Sequence, residues 1–545
     1  MVIRNPHGRR LCLYLSGALA ALPVSFTQIS ALAFVSLIPA LLLFFGEWLA
    51  SDTARPPRRY YGAGMWFSMG FFMVTFHWFL RLWPLDYVSG MTPFLALLVI
   101  FAACVLLPLL QSLGFSFLFW TLAHLSRTRA VRRLPLLLPL LFAGGWTIYA
   151  WTQNLTWMGV PWGTQLALSQ HKNLLLCSSA SFFGSYFVTF IIAAVNACLA
   201  LGILWLAKRE KRRASVAAGV AASLFLLNFG LSTLSYCLPQ EKRGEIRAAV
   251  LQANLSSSEK WDDTTDAVSL YADLAKEAAK KDATLMIWPE TAVTSTLQEG
   301  SVNRERVRMI AEETGATQVV GAFYYETGED GARLRYNSLY VFRPDGSVSE
   351  QVYHKRHLVP FGEYVPMEGF IRAVFPALAS LEMLQDGSQL TPGTSPALLE
   401  ESFGTMGGLI CFDTIYESLA HDSVAAGAEL LVVGTNDSWF FDSAAVYQHN
   451  GQAVLRAVEN GRALLRAANT GISSIITEKG EILSTIPPLV AGEEVATVNL
   501  CRGRTLYNRI GNLFVVLCGI FFLSPFAWEI GKRIACAQQN KKIPG

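Results

Sequence analysis

The sequence predicts a chain of two parts: an α-helical membrane domain of about eight spans, and an α/β domain in which strands and helices alternate. The first observation is composition. Of 545 residues, 52% are hydrophobic and 16% charged, whereas soluble domains carry about 25% charged residues. The second is charge distribution, because residues 1–245 carry a net +13, residues 246–500 a net −16 and residues 501–545 a net +6. This composition excludes a disordered chain, a coiled coil and a disulfide scaffold.

Apolar runs long enough to cross about 30 Å of hydrocarbon recur through the front of the chain, and one more lies near its end. Seven spans make residues 1–240 a predicted membrane region, and an eighth makes residues 506–535 a C-terminal transmembrane helix followed by a tail. The predicted spans lie near residues 11–28, 30–50, 60–80, 93–123, 134–151, 174–206, 214–238 and 510–530.

Positive charge alternates between the loops that join these spans. Nineteen Lys and Arg residues lie before span 1, after spans 2, 4 and 6, and at the C-terminus, whereas the opposite loops hold only Arg81 and Lys172. The positive-inside rule places the nineteen in the cytoplasm. Both termini are then predicted to be cytoplasmic, and residues 246–500 extracytoplasmic. A cleaved signal peptide beginning at Arg9-Arg10 is the alternative for the first span.

Short β-rich runs alternate with helical patterns through the acidic region, residues 246–500. This alternation predicts a layered α/β fold with the helices outside. Hairpins are predicted around Pro344-Asp345-Gly346 and Lys479-Gly480. Strands are predicted at 248–255, 283–290, 317–325, 406–412 and 428–434, and helices at 264–281, with Asp263 as N-cap, and at 304–314, 416–426 and 444–460.

One long segment, residues 361–395, interrupts this alternation. It is rich in apolar residues that would be costly in water: Phe370, Ile371, Val374, Phe375, Leu378, Leu381 and Leu384. A loop this long in a compact domain is usually functional. A loop packed on its own domain and a lid that dips into the bilayer surface both remain open.

Three reactive residues follow predicted strands. Glu290 in LMIWPETA stands at a strand end in partly apolar surroundings, which would prepare a carboxylate as a base. Lys355 in YHKRHLVPFGEYVP could stabilise an oxyanion, and Glu363 in the same stretch could orient it. Cys411 in GGLICFD could have its thiolate stabilised by the backbone and by a helix dipole, with the N–H of Phe412 placed for an oxyanion hole. A thiol, a base and a cation form the set that an acyl-transfer nucleophile needs.

In this order, WPE, the lysine of YHKRHLVPFGEYVP and the cysteine of LICFD resemble the nitrilase (carbon–nitrogen hydrolase) superfamily. VPFGEYVP, LQANLSSSEKW, GTNDSWF and GVPWGTQLALSQ, together with the spans, are similar to the apolipoprotein N-acyltransferase family over nearly the whole chain. The resemblance implies a nitrilase-like αββα sandwich over residues 246–500. It departs from the family at Cys411-Phe412-Asp413, where the family usually has Cys-Tyr-Glu.

The resemblance implies a role for each matched residue. Glu290 matches the general base, Lys355 the oxyanion-stabilising lysine, Cys411 the nucleophile, Glu363 a supporting glutamate and Trp261 a tryptophan of the substrate cleft. Phe412 and Asp413 would support substrate binding or the site.

The enzyme so implied moves an sn-1 acyl chain from a phospholipid such as phosphatidylethanolamine, through a thioester on Cys411, to the N-terminal diacylglyceryl-cysteine of an apolipoprotein. This would be the last step of lipoprotein maturation, in the inner membrane, with the catalytic domain on the periplasmic side.

Two other classes of function fit parts of the sequence. A membrane-tethered nitrilase-type amidase would pass the acyl group to water. A transporter or structural membrane protein should hold paired ionisable residues in mid-membrane, and the predicted spans hold almost none. The sequence contains no P-loop, dinucleotide fingerprint, CxxC pair or zinc spacing, so no metal or cofactor is predicted. The acidic region has no basic patch, so no nucleic-acid partner is predicted either.

Overall fold

The computed structural model describes residues 5–50, 57–85, 91–155, 161, 163–262, 264–329, 331–374 and 389–541. The chain divides into two compact units. The first unit comprises residues 1–77, 101–235 and 512–545, and the second comprises residues 78–100 and 236–511. Residues 78–100, which the sequence assigns to the membrane region, therefore cluster with the second unit.

Helices make up nearly all of the first unit and the outer layers of the second. The α-helices are α1 Pro6–Ser25, α2 Ile38–Ala50, α3 Pro57–Thr75, α4 Pro93–Phe101, α5 Leu107–Leu125, α6 Arg129–Arg133, α7 Leu137–Thr152, α8 Leu174–Cys177, α9 Ala180–Phe183, α10 Ser185–Ala207, α11 Lys211–Cys237, α12 Ser257–Lys260, α13 Ala267–Lys280, α14 Val302–Thr314, α15 Glu368–Val374, α16 Glu417–Ala426, α17 Ala444–Asn460, α18 Leu506–Ile510 and α19 Leu513–Lys541.

All strands of the described residues lie in the second unit. They are β1 Lys242–Gln252, β2 Leu285–Ile287, β3 Val293–Thr296, β4 Thr317–Thr327, β5 Arg333–Phe342, β6 Tyr353–His354, β7 Leu398–Glu401, β8 Gly404–Ile410, β9 Leu430–Thr435, β10 Leu464–Ala468, β11 Ser473–Ile476, β12 Ile482–Ile486 and β13 Gly492–Cys501.

Each of the eight predicted spans contains a helix, but only five helical segments in the described residues are long and apolar enough to cross a membrane. α7 has only 16 residues. α1 and α3 are longer, but both begin among arginines and contain many small or polar residues. The described residues therefore contain five candidate spans where the sequence predicts about eight. They are Thr27–Trp48, Pro93–Leu125, Ser185–Ala207, Lys211–Cys237 and Leu513–Ile534.

Close packing of α1 against α3 shows how small residues build the first unit. A Cβ on Gly17 would lie 1.8 Å from the carbonyl oxygen of Phe67, and a Cβ on Gly70 would lie 2.0 Å from that of Tyr14. Glycines on both helices thus let the two backbones touch, as small residues do at helix interfaces in membranes. Any side chain at either position would force these helices apart.

Two sheets packed face to face form the second unit. One sheet has the order β13-β1-β2-β4-β5-β6, with β3 beside β4, and the other has the order β12-β11-β10-β9-β8-β7. Alternate residues of each central strand face opposite ways. In β1, Val250 belongs to the core between the sheets, and Leu251 belongs to the core beneath α13 and α14. This αββα sandwich confirms the predicted fold class.

Most predicted elements of this unit are found within a few residues of their predicted bounds. α17 spans the predicted range, and β11 and β12 form the hairpin around Lys479-Gly480. The hairpin around Pro344-Asp345-Gly346 is shorter than predicted. Its second arm pairs with β5 only through an isolated bridge between Phe342 and Val348 and through the two residues of β6. The N-cap of α13 is Asp266; the predicted cap, Asp263, lies outside the described residues.

Candidate active site

The central strands place the predicted site residues at one edge of the sandwich. β2 lies between parallel neighbours β1 and β4, and β8, β9 and β10 are parallel in the other sheet. Glu290 follows β2, Cys411 directly follows β8, and Lys355 directly follows β6. Ligand sites in such folds gather beyond the carboxyl ends of parallel strands.

Glu290 is buried, and its carboxylate accepts three hydrogen bonds. Oε1 accepts from Lys355 Nζ at 2.9 Å and from Asn337 Nδ2 at 2.7 Å, and Oε2 accepts from the backbone N–H of Asn436 at 2.9 Å. Burial alone would raise the pKa of Glu290, but the positive charge of Lys355, its hydrogen bond and the charge of Lys260 lower it below its ordinary value. The resting group is therefore a carboxylate.

A glycine lets β4 pass behind this carboxylate. A Cβ on Gly321 would lie 2.2 Å from the carbonyl oxygen of Pro289 and 2.9 Å from the Cα of Glu290. Any other residue at this position would displace the turn that carries Glu290.

Lys355 lies at the centre of the charge cluster. Its backbone N–H donates to the carbonyl of Asn337 at 2.8 Å, which continues the pairing of β6 with β5. Its Nζ donates to Glu290 Oε1 and, at 2.7 Å, to Glu363 Oε1. Burial opposes the charge of Lys355, but the two carboxylates outweigh it and raise its pKa well above the ordinary value. The ammonium is thus permanently charged and held between two carboxylates.

Glu363 is anchored on both oxygens. Oε1 accepts from Lys355, and Oε2 accepts from the backbone N–H of Val359 at 2.8 Å. Burial raises the pKa of Glu363. The charge of Lys355 acts to lower this pKa and the charge of Glu290 to raise it, and the net result is a raised pKa. Sequence reasoning expects Glu363 to orient the lysine, and the structure brings the two into direct contact.

Cys411 begins a five-residue 3₁₀ turn, Cys411–Ile415, in a left-handed conformation with φ +49°. Burial and the charge of Glu290 raise the pKa of its thiol, and Lys355 opposes them. The structure therefore differs from the expectation of a stabilised thiolate, because the turn is too short to act as a helix dipole and the surroundings of this partly buried residue raise the pKa of the thiol. In the resting site Cys411 keeps its proton.

Asp413 ties the turn that begins at Cys411 to the segment that carries Lys355. It is fully buried and accepts from the Tyr353 hydroxyl at 2.9 Å, from Ile410 N–H at 3.0 Å and from His357 N–H at 2.8 Å. Burial raises the pKa of Asp413. Phe412, half-buried, contacts the edge of the Tyr416 ring at a centroid distance of 5.4 Å.

Trp261 is 50% exposed and stacks on Phe323, with ring centroids 6.1 Å apart. The Arg335 guanidinium lies over the Phe323 ring, 3.9 Å from its centroid. An exposed, braced indole fits the expected place in a substrate cleft, although its role stays a prediction.

The segment predicted as a lid is described only in part. Residues 361–374 and 389–395 are described, whereas Phe375, Leu378, Leu381 and Leu384 lie outside the described residues, as does the side chain of Ile371. Within the described part, four apolar side chains are about half exposed: Phe361, Met367, Phe370 and Val374. Such exposure favours the lid over a loop packed on its own domain.

Sequence reasoning missed a second buried lysine. Lys260 is only 4% exposed, and its Nζ donates to the backbone carbonyl of Glu290 at 2.9 Å. Burial lowers the pKa of Lys260 to about 7, against the opposing charges of Glu290 and Cys411. The only signal in the sequence is its position directly before Trp261 in LQANLSSSEKW.

A second missed group lies behind Cys411. His449 on α17, Asp437 after β9 and Arg466 on β10 are all buried. The donor atoms of Cys411, Asp437 and His449 lie within 4.8 Å of one another, a spacing that a metal could bridge. Asp437, however, already accepts from Arg466 at 2.6 Å and from the Thr435 hydroxyl at 2.9 Å. Both oxygens of Asp437 already accept hydrogen bonds, and we assign the group no metal.

Comparison with known proteins gives two family matches on this chain. The carbon-nitrogen hydrolase model matches residues 247–505, and the apolipoprotein N-acyltransferase N-terminal domain model matches residues 16–198. Among solved structures, an amidase of the nitrilase superfamily from Nesterenkonia AN1 is 21% identical and covers 51% of this chain and 98% of that chain, with a TM-score of 0.37.

Curated relatives cover most of the chain. The apolipoprotein N-acyltransferase of Geobacter metallireducens is 34% identical over 406 residues, which are 73% of this chain and 74% of that protein. Those of Brucella melitensis and Bradyrhizobium diazoefficiens are each 29% identical, and cover 89% and 95% of this chain and 89% and 96% of the respective relatives. The resemblance expected from the motifs is thereby confirmed, and the chain belongs to the apolipoprotein N-acyltransferase family, membrane enzymes that N-acylate lipoproteins.

Proposed function

We propose that Cys411 carries the acyl group as a thioester, that Glu290 moves the protons, and that Lys355 stabilises the oxyanion. The observation that carries this assignment is the contact of Lys355 Nζ with both Glu290 and Glu363, in a cluster whose charges also act on the Cys411 thiol. A buried ammonium whose charge acts on the partly buried Cys411 thiol is suited to receive the negative charge that develops on an ester carbonyl.

In the first half-reaction, Cys411 Sγ attacks the sn-1 ester carbonyl of a phospholipid, while Glu290 takes the thiol proton. Lys355 and the backbone N–H of Phe412 stabilise the tetrahedral oxyanion. The C–O bond then breaks, and Glu290 returns the proton to the departing lyso-phospholipid oxygen. The thiol's raised pKa supports this order, because the proton leaves only as the S–C bond forms.

In the second half-reaction, the free α-amine of a diacylglyceryl-cysteine attacks the thioester carbonyl. Glu290 takes a proton from the attacking nitrogen, and the C–S bond breaks as the proton passes to Sγ. The products are the amide of the lipoprotein and the original thiol. Trp261 and the apolar side chains of residues 361–374 would receive the acyl chains and limit water, which would otherwise hydrolyse the thioester.

We infer an extracytoplasmic position for the catalytic unit from the distribution of Lys and Arg in the loops. In this proposal residues 1–240 and 506–535 form the membrane region of an inner-membrane protein, residues 246–500 form the periplasmic catalytic domain, and both termini are cytoplasmic. Alkaline phosphatase fused after residue 245 should then be active, and the same enzyme fused after residue 213 should be inactive. Activity of the second fusion alone would invert the proposed topology.

The acyl-enzyme is tested with purified protein in detergent and acyl-labelled phosphatidylethanolamine, without acceptor. We expect label on the protein that neutral hydroxylamine releases, in the wild type but not in Cys411→Ala. Cys237→Ala is the matched control, because Cys237 is an exposed free thiol of the same chain.

Addition of a diacylated lipopeptide should move the label to the peptide's amine. Release of the label only as free fatty acid would instead support the amidase alternative. Absence of label on folded wild-type protein would refute the role of Cys411 with this donor.

A further inference from the structure

The backbone carbonyl of Cys411 is held by a buried histidine. Cys411 has φ +49°, a left-handed conformation that a residue with a side chain adopts only when its surroundings impose it. His449 is 1% exposed, and its Nε2 lies 3.1 Å from the Cys411 carbonyl oxygen. The imidazole therefore contacts the peptide group whose orientation aims Sγ.

The other nitrogen of this ring fixes the ring itself. Nδ1 of His449 lies 2.9 Å from Asp437 Oδ1. Arg466 Nη2 donates to Asp437 Oδ2 at 2.6 Å, and the Thr435 hydroxyl donates to Oδ1 at 2.9 Å. Arg466, His449 and Thr435 outweigh the burial of Asp437 and lower its pKa to about 2, so it remains a carboxylate.

Both atoms that face the imidazole can only accept hydrogen bonds. Nε2 therefore donates to the Cys411 carbonyl, and Nδ1 faces the Asp437 carboxylate. Each contact holds one side of the ring, so the imidazole is fixed against the Cys411 peptide group.

We propose that His449 is a positioning residue for acyl transfer: held by Asp437 and Arg466, it donates to the Cys411 carbonyl and fixes the left-handed turn that aims the nucleophile. This inference rests on the proposed role of Cys411. His449 contacts the backbone of Cys411 rather than its reacting atom, so its loss should slow formation of the thioester and leave lipid binding unchanged.

Three substitutions at residue 449 separate the two hydrogen bonds. In His449→Gln the side-chain amide can reach the position of Nε2 and still donate to Cys411. In His449→Asn the amide reaches only the position of Nδ1, so the bond to Asp437 survives and the bond to Cys411 is lost. His449→Phe keeps the ring but neither bond.

The assay is single-turnover acylation of the full-length protein by labelled phosphatidylethanolamine, with the dependence on lipid concentration. We expect the Asn and Phe variants to acylate about 10- to 100-fold more slowly, as for a nucleophile displaced by a fraction of an ångström to 1 Å. The half-saturating lipid concentration should change less than about twofold, and the Gln variant should recover most of the rate.

Equal losses in His449→Gln and His449→Asn, whether of acylation rate or of folded protein, would overturn the proposal. The loss would then not depend on a hydrogen-bond donor at the Cys411 carbonyl. Full activity in Asn or Phe would overturn it as well. Alkylation of Cys411 by iodoacetamide gives an independent readout, which should follow the same order of variants. If the wild type forms no thioester, the proposed function fails, and the alkylation series still decides the role of His449.

Discussion

Replacing Glu363 with glutamine should weaken Glu290 as a base, because both carboxylates share one lysine. Each carboxylate accepts a hydrogen bond from Lys355 Nζ on its Oε1, at 2.9 Å for Glu290 and 2.7 Å for Glu363. The two oxygens are therefore no more than about 6 Å apart, and their repulsion is about 3 kcal/mol at an effective dielectric constant near 20. Removing the Glu363 charge should therefore lower the affinity of Glu290 for a proton at any pH where Glu363 is ionised in the wild type.

The pH dependence of Cys411 acylation measures this change. The pKa of Glu363 lies above its ordinary value and that of Glu290 below it, so Glu363 takes the first proton as the pH falls. In the proposed mechanism the wild-type rate should therefore fall toward that of Glu363→Gln as Glu363 becomes protonated, and the variant should lack this step. The rate at neutral pH should fall, since the base is weaker. Gln also turns an NH₂ group toward either Lys355 or the Val359 N–H, which costs about 1–3 kcal/mol of stability.

The presence of this step does not depend on the fraction of folded protein, and it is the decisive observation. Glu312→Gln is the matched control, because it removes the same charge from an exposed ion pair with Arg308 on the outer helix α14. The control should keep the step. A Glu363→Gln profile that keeps it as well, or a rate at neutral pH above that of the wild type, would refute the shared-lysine reasoning.

Three further outcomes follow from the same geometry. Trp261→Ala should raise the KM for lipid, and steady-state kinetics measure this change. The free energy of unfolding, measured with denaturant, should change by less than about 0.5 kcal/mol because the indole is half exposed. An unchanged KM would contradict the place of Trp261 in the substrate cleft. Asp413→Asn should lower the unfolding free energy by about 2 kcal/mol, since an amide can accept only part of the three bonds, and wild-type stability would contradict this. The pKa of Lys260 is about 7 in the folded protein and higher in the unfolded chain, so above pH 7 the unfolded chain binds more protons. The free energy of unfolding should therefore rise from pH 7 toward pH 10, and denaturant unfolding of Lys260→Met should lack this rise. An identical rise in the variant would show that other groups cause it.

The sandwich and the positions of its reactive residues could be predicted because both depend on local pattern. Glu290 follows an apolar run and a proline, and Cys411 follows a run of small and apolar residues, so each reads as a strand end. Chains of this fold class gather such ends at one edge. The pairing of Lys355 with Glu363 was predicted for the same reason, since the two lie eight residues apart in one stretch.

The parts that could not be predicted depend on contacts between distant segments. Lys260 reaches a carbonyl 30 residues away, and His449 reaches one 38 residues away. Nothing local distinguishes either from a surface lysine or a helix-face histidine. The protonation of Cys411 was also missed, because burial is a property of the assembled site. The count of spans differed because α7 is short, although its sequence is strongly apolar, and because α1 and α3 begin among arginines and contain many small or polar residues.

The directions of the pKa shifts explain why this site pairs a protonated thiol with an ionised carboxylate. Forming a thiolate in advance would add a negative charge beside Glu290 in a buried site, which is costly without a partner. In the proposed mechanism, transfer of the thiol proton to Glu290 during attack keeps the number of charges constant, because the carboxylate is neutralised as the oxyanion forms against Lys355. In each half-reaction Glu290 would pass the proton that it took from the attacking group to the leaving group. Such a site would stay inactive until a carbonyl arrives, and it would then hold a thioester with little water nearby until an amine reaches it.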